Sequence, residues 1–118
     1  MMVQQSTEQA EQILSELRRG IVILAVLSQL QEETYGYALR EKLASQGMEI
    51  REGTLYPLLR RLESQQLLQS RWQLEESRPR RYYQLSPQGQ KTLSVLEGEW
   101  TSIVAVMQTL LHANDGSD

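Results

Sequence analysis

Apart from its arginines, this 118-residue chain carries few side chains able to do chemistry. It has no cysteine, which excludes disulfides, thiolate metal sites and thiol redox switching. Its one histidine, His112, falls at the end of the last helical pattern, and no His, Asp or Glu cluster has metal-ligand spacing. Glu75 and Glu76 are adjacent on what reads as a solvated turn, where two carboxylates do not gain the shifted pKa that acid–base catalysis needs. With no glycine-rich phosphate loop either, the chain reads as a non-enzyme with no cofactor and no metal. What remains is cationic. The formal net charge is -3, yet residues 51–91 hold eight basic against four acidic residues, a local +4 that leaves -7 for the rest. Such asymmetry marks a basic footprint on an otherwise acidic protein, of the kind that neutralises phosphates.

Two groups of arginines stand out within that footprint. Arg60 and Arg61 belong to "EGTLYPLLRRLE", residues 52–63, where Leu55, Leu58, Leu59 and Leu62 share one side at 100° per residue. Pro57, Arg60 and Ser64 then look outward, with Tyr56 and Arg61 on the flanks. Gly53 near the cap, with Thr54 beside it, leaves room for a phosphate at the free N–H groups of the helix start. Pro57 is expected inside the first turn, where a missing N–H costs little. An outward arginine can donate two hydrogen bonds to guanine in a major groove. The same residues also suit a helix that merely starts with small residues and carries solvated arginines. The second group, Arg78, Arg80 and Arg81, lies near a turn that could cross a phosphate chain or enter a minor groove, or could be a soluble loop.

These groups need elements to position them. Ser6 and Gln9 form a candidate capping box for a helix from about 8 to 30, which Gly20 could divide into an arm and a core helix. Thr34 is expected to cap a second helix, "YGYALREKLASQG", that stops at Gly47. The arginine-bearing helix follows at 53–65. "LLQSRWQL" (67–74) alternates Leu68, Ser70, Trp72 and Leu74 against polar residues, as a strand with one covered face does. It pairs with "RRYYQL" (80–85) across the polar turn "EESRP". Ser86 and Pro87 then open a last helix to about 112.

Three helices, a hairpin and a long helix make a mainly α fold with a β wing, a winged helix-turn-helix whose third helix is the reader. The expected organisation is a single domain over 1–118: an N-terminal arm at 1–19, the winged helix-turn-helix at 20–85, a C-terminal dimerisation helix at 86–112 and a disordered tail at 113–118. The longest apolar stretch, "GIVILAVLSQL" at 20–30, is too short to span a membrane, and its internal position does not suit a signal peptide. The expected location is the cytoplasm.

In the last helix Leu93, Leu96, Trp100, Ile103, Met107 and Leu110 are spaced 3, 4, 3, 4, 3, an a/d seam that needs a partner helix. A second copy would supply one and would present two reader helices to a palindromic site. Burial of the seam within one chain is the alternative. Between two copies, opposed Trp100 indoles could wall a flat slot for an aromatic small molecule, or simply pack.

"YGYALREKL", "EGTLYPLLRRLESQQLL", "RRYYQLSPQG" and a tryptophan in the long last helix, in that order and spacing, resemble the PadR family of bacterial transcriptional regulators from about Gly20 to Leu111. The resemblance implies a winged-helix homodimer held by its terminal helices, usually a repressor of double-stranded DNA targets and often released by a small molecule. It implies Tyr37, Thr54, Tyr56, Pro57 and Arg60 at the DNA face with the wing arginines, and Trp100 in a dimer-centre pocket. The short last helix is that of the compact subfamily. The glutamine-rich text with its N-terminal arm is similar to that of PadR-like regulators of the cyanobacterial circadian clock, which would imply repression of a clock gene without a ligand. From the residues alone, a winged-helix module whose basic face meets an acidic protein partner also fits.

Overall fold

The leucines at 26–30, 39–43, 55–62 and 68 converge because each run places its apolar residues on one face of its own element. In the computed structural model, which describes the backbone of residues 2–113 and the side chains of residues 7–113, they meet in one core with Ile50, Tyr83, Leu85 and Leu93. The elements in chain order are helix α1 (Met2–Ser28), strand β1 (Thr34–Tyr35), α2 (Gly36–Ser45), α3 (Glu52–Ser64), β2 (Leu68–Glu75), β3 (Arg78–Leu85) and α4 (Pro87–His112). The mainly α winged architecture expected from the sequence is the one observed. Beyond Ala113, the expected disordered tail lies outside the described residues.

Several boundaries differ from expectation. Helix α1 begins at Met2, so Ser6 is an interior residue and not its cap. It also runs unbroken through Gly20, where an added Cβ would meet nothing within 4 Å. A glycine weakens a helix only modestly when the turns on both sides stay bonded. Thr34 does not cap α2. It pairs with Tyr83 in a short strand that the sequence reading missed, and Tyr35, opposite Tyr82, takes the N-cap place with no side-chain bond. Gly47 does stop α2: at φ +99° it lets the Met48 N–H donate back to the Leu43 carbonyl at 2.9 Å.

The sheet is antiparallel, in the order β1-β3-β2. Its hairpin turns on Glu76 and Ser77 alone, both at positive φ, as a two-residue turn between right-twisted strands requires. Arg78 and Pro79 therefore belong to β3, opposite Glu75 and Leu74. Glu75 belongs to β2, where it accepts from the Tyr82 hydroxyl and faces Arg80. The covered face expected for β2 holds only for its first half. Leu68 is buried and Ser70 half-buried, but Trp72 and Leu74 are 64% and 70% exposed. The wing outruns the helices beneath it.

At the start of α4, the Ser86 hydroxyl accepts from the Gly89 N–H at 2.9 Å and donates to the Gln66 carbonyl at 2.6 Å, which ties this helix to the α3–β2 link. Among the described residues, no helix is long and apolar enough to cross a membrane.

Candidate nucleic-acid interface

Helix α3 stands on Leu55, Leu58, Leu59 and Leu62, all buried, and this fixes which way its remaining faces look. Gly53, Pro57, Arg60 and Ser64 form the stripe opposite the leucines, and all four are exposed. Thr54 and Arg61 flank it on one side, Tyr56 and Glu63 on the other. Arg60 and Arg61 make no ion pair among the described residues, and neither does Arg78. The helix begins one residue earlier than expected, with Arg51 as N-cap, so Pro57 is its sixth residue and not part of the first turn. Its missing N–H leaves the Gly53 carbonyl without a helical donor, a loss that an exposed face can offset with water.

The angle between α2 and α3 is held by Arg40, whose Nε donates to the Ile50 carbonyl at 3.0 Å while its Nη1 meets Glu52 at 3.1 Å. No expectation singled out Arg40. Its signal was an arginine and a glutamate flanking the α2–α3 turn.

The structure brings five of the ten residues expected at a DNA face around one groove. Tyr37, Tyr56, Arg78, Arg80 and Arg81 line it together with Tyr35 and Gly36, enclosing about 380 Å³ between the wing and the start of α2. Gly36 lets the Tyr56 ring pack close, since a Cβ would lie 2.5 Å from that ring and the ring would have to move. The Arg80 guanidinium lies 4.4 Å from the centroid of Tyr35, whose ring meets Tyr82 edge-on. Thr54, Pro57 and Arg61 face elsewhere. They line a second cleft of about 650 Å³ against α1, with Leu14, Arg18 and Val22.

The wing arginines do not all stand free. Arg81 donates from Nη2 to Glu63 at 2.8 Å and from Nε to the Ser70 hydroxyl at 3.1 Å. On the sheet's other face Arg71 donates to Glu33 from Nη2 at 2.6 Å and from Nε at 2.7 Å. That double hydrogen bond holds the Glu33 carboxyl below its ordinary value. The bond Tyr82 donates to Glu75 raises the Tyr82 phenol, and burial raises that of Tyr83.

The predicted seam of α4 divides. Leu93 is buried in the core of its own chain and so is not open to a partner, while Leu96 packs against that core and is only half-buried. Trp100 and Ile103 are 42% and 48% exposed, and Met107 and Leu110 are likewise exposed. Ile13, Leu14 and Leu17 are exposed on α1.

Comparisons with known proteins return chains of the same fold. The chain is 35% identical over 82 residues to a transcriptional regulator of Mycobacterium tuberculosis, covering 69% of this chain and 77% of that one. A crystal structure of a PadR family transcriptional regulator from Eggerthella lenta superposes with a TM-score of 0.83 at 42% identity, over 94% of this chain and 99% of the other. A transcriptional regulator from Clostridium thermocellum gives 0.73 at 30% identity, over 80% and 96%. Residues 23–95, from the core end of α1 through the wing into α4, match the model of the PadR-like family, and the chain is therefore a PadR-like transcriptional regulator.

Proposed function

We propose that this chain is a sequence-specific DNA-binding repressor that acts as a homodimer, with α3 in the major groove and the wing across the neighbouring backbone. The observation that carries the reading is the exposed Gly53–Pro57–Arg60–Ser64 stripe over four buried leucines. Gly53 and Thr54 give a phosphate close approach to the helix start, Arg60 reads a base edge, and Tyr37, Tyr56, Arg78 and Arg80 hold phosphates along the groove beside the wing. Family membership supports DNA as the partner. Exposed apolar residues on both α1 and α4 support a second copy as what covers them. The relatives compared above support transcription regulation and not a circadian role, so the proposal includes no circadian target.

The test is an electrophoretic shift against a duplex that the protein enriches from a random pool, set beside a shuffled duplex. Tight, selective retardation is expected, with log affinity falling linearly in log salt by roughly 0.9 per phosphate neutralised. A clean dimer that retards neither duplex at low salt would favour the module that meets an acidic protein.

Partial exposure of Trp100 beside Ile103 and Met107 favours a second element, an aromatic effector in the slot between two copies. Quenching of tryptophan fluorescence by such a ligand, lost in Trp100→Phe but not in Trp72→Phe, tests it.

A further inference from the structure

Glu63 sits on the reader helix three residues beyond Arg60, so the two side chains are surface neighbours and could pair. In the structure they do not. Glu63 has both carboxylate oxygens engaged by the wing: Oε1 accepts from Arg81 Nη2 at 2.8 Å, and Oε2 accepts from the Ser70 hydroxyl. That hydroxyl in turn accepts from Arg81 Nε at 3.1 Å, closing a ring of three side chains. The Arg81 guanidinium is further enclosed by Trp72 and Tyr83, each with its ring centroid 5.6 Å away. Arg81 has two hydrogen bonds and two aromatic neighbours to give up before it could reach a phosphate.

We infer that Arg81 is a positioning residue for DNA reading: by neutralising Glu63 from the wing side it leaves Arg60 unpaired and outward. This rests on the DNA-binding function proposed above. Without Arg81, Glu63 becomes an unmatched carboxylate one helical neighbour from the reading arginine. It then either pairs with Arg60, drawing it off the groove, or repels the phosphates that flank the base. The fork geometry and the Ser70 bridge explain why Glu63 goes to Arg81, since a two-nitrogen grip shared with a hydroxyl is better organised than a single flexible pair along a helix.

The experiment compares affinities for the enriched and the shuffled duplex over a salt series, in the wild type and in Arg81→Met, Arg81→Lys, Glu63→Gln, the double variant Glu63→Gln/Arg81→Met, and Arg78→Ala. Arg81→Met is expected to cut the enriched-to-shuffled affinity ratio roughly tenfold, the size of one lost base contact. Arg81→Lys, which keeps the charge but loses the fork, is expected to lower the ratio less than Arg81→Met does; Glu63→Gln is expected to keep it, and the double variant to recover it to within about twofold, because its neutral residue 63 no longer competes for Arg60. Arg78→Ala is expected to weaken both duplexes alike and to make the salt slope shallower by about one. If Arg81→Met behaves like Arg78→Ala, Arg81 is a direct phosphate contact and the inference is overturned. A double variant as poor as Arg81→Met overturns it too. Wild-type protein that retards neither duplex removes the DNA reading itself, which is a separate outcome.

Discussion

Two helical glycines separate the roles of fold and surface at the scale of the residue. A Cβ at Gly89 would lie 2.1 Å from the Leu67 carbonyl oxygen, a backbone atom that cannot swing aside, whereas a Cβ at Gly53 would meet nothing within 4 Å. Gly89→Ala is therefore expected to destabilise the protein by about 3 kcal/mol through forced overpacking, read as a lower denaturant midpoint. Gly53→Ala should raise stability by roughly 0.5–1 kcal/mol, because alanine loses less freedom on entering a helix. In the proposed function the same methyl stands where a phosphate approaches, so DNA affinity should fall while stability rises. Arg60→Ala should lower preference for the enriched duplex more than Arg80→Ala does, since Arg80 is drawn toward Tyr35 and Glu75. Glu33, held low by Arg71, should titrate below an ordinary glutamate, and Arg71→Ala should return it to the usual range in a carbon-detected titration. A carboxyl depressed in the folded state adds stability above its unfolded pKa and loses it as pH falls through the folded value, so the tether between Glu33 and the sheet loosens only on the acid side.

At the scale of the element, α3 is legible because four leucines recur at helical spacing and leave a polar stripe opposite. Leu59→Ala should cost about 2–5 kcal/mol and reduce DNA binding only through loss of folded protein, which calorimetry beside the binding assay can separate. The wing was legible in its pairing but not in its burial. Alternation in "LLQSRWQL" announces a strand whose residues 68, 70, 72 and 74 share a face, and they do. Whether that face is covered depends on how far the helices reach along it, and nothing within the strand encodes this. The strand at Thr34–Tyr35 was hidden for a related reason: two residues hold no period, and only Tyr82 and Tyr83 of a distant strand make them a strand.

At the scale of the whole molecule, the chain measures 64 × 39 × 25 Å with a radius of gyration of 17.9 Å. A compact chain of this length would have about 13–14 Å. The excess lies in the long helices α1 and α4, which project from the winged body with apolar residues uncovered. The proposed dimer covers them. Ile103→Glu, which leaves the monomer core untouched, should convert the protein to a monomer in sedimentation and remove the concentration dependence of its melting temperature. Affinity for a palindromic duplex should fall with it, because two half-sites are then no longer engaged together.

The sequence by itself determined the order of elements, the face each helix buries, the family and the stripe that α3 turns outward. These follow from periodicities of 3.6 and 2 and from local spacing, which are properties of short stretches. Only the tertiary structure decided which charges are spent on one another. Arg81 reads in the sequence as one more basic residue of a hairpin, yet Glu63, eighteen positions earlier, takes it. Leu93 and Trp100 read as two steps of one seam, yet the body of the protein covers the first and ends before the second. Pairing and burial are set by what arrives from elsewhere in the chain, and a local pattern holds no record of its distant neighbours.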